Sequence, residues 1–454
     1  MALNNTHVTP PPPESRSPAD RAARRALLSS YVGSVIEWYS FLLYGTAAAL
    51  VFGELFFPDA DPLTGTIAAL ATFAVGELSR PIGAAIFGHF GDRVGRKSVL
   101  MTTMLLMGLG SFAIGLLPTY EQIGVGAPVL LAVLRFVQGV ALGGEWGGAA
   151  LMAVEHAPRD RRGLWGSISQ LGSASGLLLS TPIFALFAAL PESDFLAWGW
   201  RVPFLLSILL AGVGLFVRFR TLETPVFAAG RGAHAEPRRH PIAEVFLTCR
   251  RPLLLSAGLV FGPLGAQMIL VVWVASYANQ IGYSRSVTLW ALILGAAIQL
   301  VALPGFGVLA DRLGRRPLYL YGALCLAVNG FVMMWLVNTR VPLLLLLAFG
   351  LGSLVFSMMF GQSAALLAEL FPTEVRYTGV SLAYQTASVL GSGAGPLIAA
   401  GLLAAAGGGT STWLVSGFIA LICLVTAVCA LAVPETGRRD LRELQEGERV
   451  HDGR

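Results

Sequence analysis

A chain of 454 residues with 55% hydrophobic content, 13% charged content and a mean hydropathy of +0.69 is not an ordinary soluble domain, where about a quarter of residues are charged. The formal net charge of +5 sits in short loops, which makes it a report of membrane topology and calls for no nucleic-acid partner. The four cysteines, at 249, 325, 423 and 429, lack metal-ligand spacing, and no Ser/His/Asp or Cys/His cluster appears, so neither enzyme chemistry nor a metal or cofactor is expected.

Residues 1–28 open with a Pro/Ser-rich stretch (Pro10 to Pro13), show no cleavable-signal pattern and read as a disordered tail. Apolar runs long enough for a bilayer, about 20 residues each, then follow. Twelve are expected, near 29–57, 64–87, 98–118, 126–154, 163–190, 200–217, 253–279, 286–309, 317–337, 341–370, 378–405 and 411–433. Residues 218–252, rich in charge and holding Pro225, Pro237 and Pro241, divide them into a half at 29–217 and a half at 253–433, with a tail at 434–454.

Charge orients the runs. Arg21, Arg24 and Arg25 precede the first; Arg93, Arg96 and Lys97 separate the second and third; Arg159, Arg161 and Arg162 follow the fourth. Arg218, Arg220, Arg231, Arg238, Arg239, Arg250 and Arg251 crowd the middle loop, whereas the alternate loops hold Asp59, Asp61, Glu121, Glu192 and Asp194. Positive residues stay inside, so both termini and the central loop are expected in the cytoplasm. Lys97 is the one lysine beside 30 arginines, a composition that suggests a GC-rich bacterial genome and hence a bacterial cell membrane.

Two loop phrases recur. Gly88-His-Phe-Gly-Asp92-Arg93-Val-Gly95-Arg96-Lys97 is echoed by Gly307-Val-Leu-Ala-Asp311-Arg312-Leu-Gly314-Arg315-Arg316, with 311 − 92 = 219. Glu155-His-Ala-Pro158 followed by Arg162 is echoed by Glu369-Leu-Phe-Pro372 followed by Arg376, with 369 − 155 = 376 − 162 = 214. The expected fold is therefore all-α: twelve transmembrane helices in two pseudo-symmetric six-helix halves, with substrate bound between them. Asp92, Arg96, Glu155 and Arg162 are expected to form one ionic network. Asp311, Arg315, Glu369 and Arg376 form the other, each within its own half, and both hold the cytoplasmic helix ends together. The alternative is a set of solvated topogenic charges worth little each.

Ionisable residues inside membrane helices are costly and point to function. Glu37, Ser40 and Tyr44 fall within about 60° of one another on the first helix, a polar stripe expected to face a cavity. Glu77 and Arg80, three apart, can pair on one face of the second. On the fourth, Arg135, Gln138 and Glu145 share a side, and Gly143, Gly144, Gly147 and Gly148 allow close helix approach. A buried Glu beside a buried Arg can take up or release a proton; a structural Arg–Glu pair is the alternative. Gln170, near Ser169 and Ser173, is a candidate substrate contact or a packing amide. Gln267, Tyr277, Gln299, Gln362, Tyr384 and Gln385 of the second half are polar and uncharged, which leaves the ionic chemistry mainly in the first.

Several phrases resemble the metabolite:proton symporter family of the major facilitator superfamily, its shikimate-transporter branch most of all. They are Glu37-Trp-Tyr-Ser-Phe-Leu-Leu-Tyr44-Gly45, Arg135-Phe-Val-Gln138-Gly139, Gly143-Gly-Glu145-Trp-Gly-Gly148, Ala197-Trp-Gly-Trp-Arg201-Val-Pro203-Phe204, both loop phrases, and Glu369-Leu-Phe-Pro372 with Arg376-Tyr-Thr-Gly379. The resemblance covers about residues 30–435. Two positions depart from it: Ser40 stands where the family has Asp, and Glu77 where it has an aromatic. Glu77 is accordingly expected to take over part of the missing carboxylate's role. The resemblance implies symport of a small organic metabolite with protons by a monomer in a lipid bilayer. The buried cations Arg80 and Arg135 favour a carboxylate such as shikimate. An exporter of metabolites or drugs, or a membrane sensor that does not transport, are the competing readings.

Overall fold

The computed structural model describes residues 18–59, 62–221 and 241–437, and among these the regular structure is helical. The long helices are α1 (Pro18–Ala47), α2 (Pro62–Arg93), α3 (Arg96–Gly115), α4 (Gly126–Glu155), α5 (Arg162–Ala188), α6 (Glu192–Phe219), α7 (Arg250–Gln280), α8 (Arg285–Leu313), α9 (Arg315–Asn338), α10 (Pro342–Ala368), α11 (Arg376–Ala405) and α12 (Trp413–Ala432). Eleven of them, among the described residues, are long and apolar enough to cross a bilayer. The remaining one, α2, spans 32 residues and packs along α4. Large apolar side chains such as Leu254, Val301, Trp335 and Leu343 project from the outer faces, the reverse of a soluble bundle.

Several boundaries differ from the sequence expectation. α1 begins at Pro18, inside the segment read as a disordered tail, because proline is well tolerated in the first turn of a helix. Arg218, expected to open the linker, lies in the last turn of α6, and a helix at Pro241–Thr248 precedes α7. Residues 1–17, 222–240 and 438–454 of the expected tails and linker lie outside the described residues.

The repeated loop phrase is a helix break that only glycine can make cheaply. Gly95, between α2 and α3, has φ 126°, and Gly314, between α8 and α9, has φ 100°, where a Cβ would be strained. The glycines of α4 allow the expected close approach to α2: a Cβ on Gly143 would run into the carbonyl of Arg80. Between the halves, α5 packs on α8 and α2 packs on α11, a reciprocal pattern set by the internal repeat. An apolar cluster made by both halves joins Phe87, Trp146 and Val154 to Phe360, Phe371 and Tyr377.

Candidate functional site

At the arginine-rich end of the bundle, Asp92 closes α2 and its side chain is fully buried. It does not cap its own half. It accepts from the amides of Tyr377 at 3.1 Å and Thr378 at 2.9 Å and from the Thr378 hydroxyl at 2.8 Å, at the start of α11. Asp311 mirrors it on the first turn of α5, accepting from the amides of Gly163 at 2.7 Å and Leu164 at 2.9 Å. Free N–H groups and the positive end of the dipole make a helix start a natural partner for a carboxylate.

Arg96 lies 3.5 Å from Asp92 and 3.6 Å from Glu155, as expected within one half. The fourth member of each expected network is corrected. Arg376 donates to Glu155 at 3.1 Å across the halves, and Arg162 lies 3.8 Å from Glu369, again across. Arg315 holds Asp311 at 2.7 Å and Glu369 at 3.5 Å within its own half. The exchange follows from chain direction: Arg162 and Arg376 each begin a helix, α5 or α11, that packs on the opposite half. The two networks are thus rivets between halves.

The sequence reading missed a strap at this end. After α12, Glu435 accepts from the amides of Arg315 at 2.9 Å and Arg316 at 3.0 Å, and the buried Thr436 hydroxyl donates to Glu369 at 2.6 Å. A signal existed, since the Glu-Thr pair 435–436 repeats the pair 223–224 at 435 − 223 = 212. Residues 223 and 224 lie outside the described residues.

Deeper in the first half sits an ionic centre. Arg80 donates to both oxygens of Glu77, at 3.0 and 3.1 Å, the expected pair on one face of α2. Glu37 of α1 approaches Arg80 only to 4.0 Å, and its Oε2 has no hydrogen-bond partner among the described residues. Ser388 of α11 faces Arg80 at 3.5 Å, so this centre also touches the second half. Tyr44 is committed to Thr72 at 2.6 Å. The stripe of Glu37, Ser40 and Tyr44 is not part of the cavity described below, whose wall takes Trp38 and Leu42 from the neighbouring face of α1.

The expected pairing of Arg135 with Glu145 is also corrected. Glu145 accepts from Thr103 at 2.5 Å and pairs with Arg218 of α6, which the sequence reading took for a loop charge. A rotation of 1000° over ten residues leaves positions 135 and 145 about 80° apart, wide enough for different neighbours. Arg135 instead lies over the rings of Tyr44 (4.4 Å), Phe73 (4.7 Å) and Phe41 (5.4 Å). Of the seven buried arginines among the described residues, six contact a carboxylate and Arg135 does not. Gln138 donates to Ser111 at 2.8 Å, and Gln170 accepts from the Trp146 indole at 3.1 Å.

Between the halves lies a narrow cavity of about 50 Å³, room for a few water molecules in the described conformation. α1 and α5 line one wall, and α7, α8 and α10 the other.

Comparison with known proteins agrees with this architecture. The profile of the Major Facilitator Superfamily matches residues 64–396 and 264–450. The inner membrane metabolite transport protein YhjE of Escherichia coli K12 is 39% identical over 92% of this chain and 95% of its own length. The shikimate transporter of the same organism is 38% identical over 96% of this chain and all of its own. Among solved structures, the proton:xylose symporter XylE bound to 6-bromo-6-deoxy-D-glucose superposes with a TM-score of 0.75, at 20% identity, over 94% of this chain and 99% of that one.

Proposed function

Because this chain belongs to the major facilitator superfamily, as a multi-pass membrane transporter of metabolites and not an enzyme, we propose that it is a proton-coupled symporter that imports a small organic carboxylate by alternating access. Shikimate or a related organic acid is the favoured cargo, in keeping with the relative that carries that name. The positive-inside rule puts the arginine-rich end, and with it both termini, in the cytoplasm of a bacterial cell. The described conformation is closed at that end by the contacts between the halves, so it is not the inward-open state. Opening inward requires the Asp92 and Asp311 caps and the Glu155–Arg376 and Glu369–Arg162 contacts to break together.

The observation that carries this reading is the charge balance of the inner centre. Glu37 and Glu77 against Arg80 and Arg135 sum to zero when both carboxylates are ionised. A proton on one of them leaves one buried positive charge, which a carboxylate substrate neutralises. Burying an uncompensated charge is costly, so proton and anion favour each other, which is the requirement for symport. Arg135, with no carboxylate against it, is the natural partner of the incoming anion.

The test is uptake of labelled shikimate, aromatic acids, di- and tricarboxylates and betaines into proteoliposomes with an imposed pH gradient. Accumulation of an organic acid that a protonophore abolishes is expected. Accumulation that survives the protonophore and collapses without sodium rejects the reading.

A further inference from the structure

The central cavity contains no ionisable side chain among its lining residues. Its polar groups are amides, hydroxyls and one indole: Gln267, Gln299, Ser173, Ser353 and Trp38. Two of them are left open. The Trp38 Nε1–H on α1 and the Gln267 Oε1 on α7 are buried, and neither has a hydrogen-bond partner among the described residues. One is a donor that cannot accept, the other an acceptor, and they come from opposite halves. Gln299 is already engaged, donating to Ser353 at 3.4 Å. The remaining wall is aromatic and aliphatic, with Phe349, Phe356 and Phe360 along α10.

We infer that Trp38 and Gln267 clamp a hydroxyl group of the transported molecule from the two halves, so that the body held in the cavity is an uncharged hydroxylated ring. A hydroxyl accepts from the indole and donates to the amide oxygen at once, which satisfies both open groups. A methylene in its place leaves a buried donor and acceptor with nothing to bond, and that is how a polar site rejects an apolar analogue. The flat apolar wall suits the ring's other face. Because the clamp takes one group from each half, an occupied cavity also ties the halves together, and rocking then carries the ligand with it. The inference rests on the transport reading above; it assigns the neutral part of the cargo, whereas Arg135 and Arg80 concern the charged part.

The test uses the purified full-length chain, Trp38→Phe (ring kept, N–H removed) and Gln267→Met (shape kept, acceptor removed). Calorimetric titration with shikimate, cyclohex-1-ene-1-carboxylate, myo-inositol and glycine betaine reads the affinities, and thermal unfolding in detergent confirms that the variants fold. In the natural protein shikimate is expected to bind roughly 10-fold or more tightly than its hydroxyl-free counterpart. Either substitution should shrink that ratio towards one, mainly by weakening shikimate. Equal binding of both acids by the natural protein, or a ratio unchanged in folded variants, overturns the clamp and leaves the organic-acid reading standing. Binding of myo-inositol and neither acid, weakened by both substitutions, rejects the carboxylate cargo and supports the clamp. Glycine betaine as the one bound probe overturns the clamp, and binding of none overturns both.

Discussion

The indole of Trp146 lies flat on the phenol ring of Tyr384, with centroids 3.6 Å apart and planes 13° from parallel. One ring belongs to α4 and the other to α11. Trp146 is nine residues before Glu155, so at 1.5 Å per residue the stack lies about 13 Å further in than the ionic rivets. It forms a second layer that must part before the bundle opens inward. An aromatic pair is worth roughly 0.5–1.5 kcal/mol beyond its buried area. Tyr384→Ala is therefore expected to raise the inward-open population about 2- to 12-fold, read as labelling of cysteines placed on the cytoplasmic side of the cavity. Labelling that does not change would show that the rivets alone hold the end shut.

Asp92 and Asp311 should behave as helix caps and not only as salt-bridge partners. Asparagine keeps a side-chain oxygen that accepts from backbone amides, whereas alanine does not. Asp92→Ala should therefore favour the inward-open state more than Asp92→Asn, with the loss of a cap worth about 0.5–2 kcal/mol. Asp311 should give the same order. Substrate affinity measured on the outward-facing protein should stay unchanged. A fall in affinity with unaltered cysteine labelling would place these residues in the binding site instead.

Much of the architecture was legible because a bilayer simplifies the physics. Helix number, halves and the Gly95 and Gly314 turns follow from apolar run length and the two repeated phrases. Pairing was harder to read. Arg162 and Arg376 look local to their own halves, and only the packing of α5 on α8 and of α2 on α11 sends them across. Glu145 was misplaced because a helical wheel gives directions and not neighbours; α6 supplied a closer arginine. Trp38 and Gln267 do not stand out in the sequence, because single uncharged polar residues are common in membrane helices and their open bonds exist only in three dimensions.

The Glu145–Arg218 pair is enclosed by α3 and α4, with Thr103 donating to the same carboxylate and Gly33 of α1 leaving room for the guanidinium. Neither residue is among those lining the central cavity. Its expected role is to fasten α6 to α4. Removing one partner strands a buried charge, at a cost of about 3–5 kcal/mol. Arg218→Met should thus lower the thermal midpoint in detergent sharply, and Glu145→Gln with Arg218→Met should recover part of the loss. The pH profile of uptake should keep its shape. Loss of proton-driven uptake in a variant of normal stability would move Glu145 into the coupling machinery.

Glu435 should not be the source of any pH dependence. Partial burial raises its pKa, but the backbone N–H groups of Arg315, Gly437 and Arg316 together outweigh that and hold it below the ordinary carboxylate value. A carboxyl depressed on folding contributes stability above its unfolded value of about 4.3, and that contribution fades only as pH falls towards the lower folded value. Across pH 5 to 8 the strap therefore remains ionised. Glu435→Gln should weaken closure by the same factor at every pH in that window, visible as a vertical shift of the uptake profile. A displaced midpoint would show that Glu435 titrates during transport.

The proton itself is best assigned between Glu37 and Glu77. Glu77 holds Arg80 through both oxygens, which makes it the fixed partner of that guanidinium. Glu37 reaches Arg80 only at 4.0 Å and has one oxygen without a partner, so an ionised Glu37 is the less compensated of the two. This geometry favours Glu37 as the proton carrier and Glu77 as the fixed counter-ion of Arg80, in contrast to the sequence expectation that Glu77 stands in for the carboxylate absent at Ser40. Glu37→Gln should then abolish accumulation driven by a pH gradient while leaving exchange of internal for external substrate. Glu77→Gln should impair exchange as well, because it frees a buried guanidinium. Position 40 lies about 60° from position 37 on the same helix, so Ser40→Asp in the Glu37→Gln background should restore part of the pH-driven accumulation. Full coupling in Glu37→Gln, together with exchange but no accumulation in Glu77→Gln, would transfer the proton to Glu77.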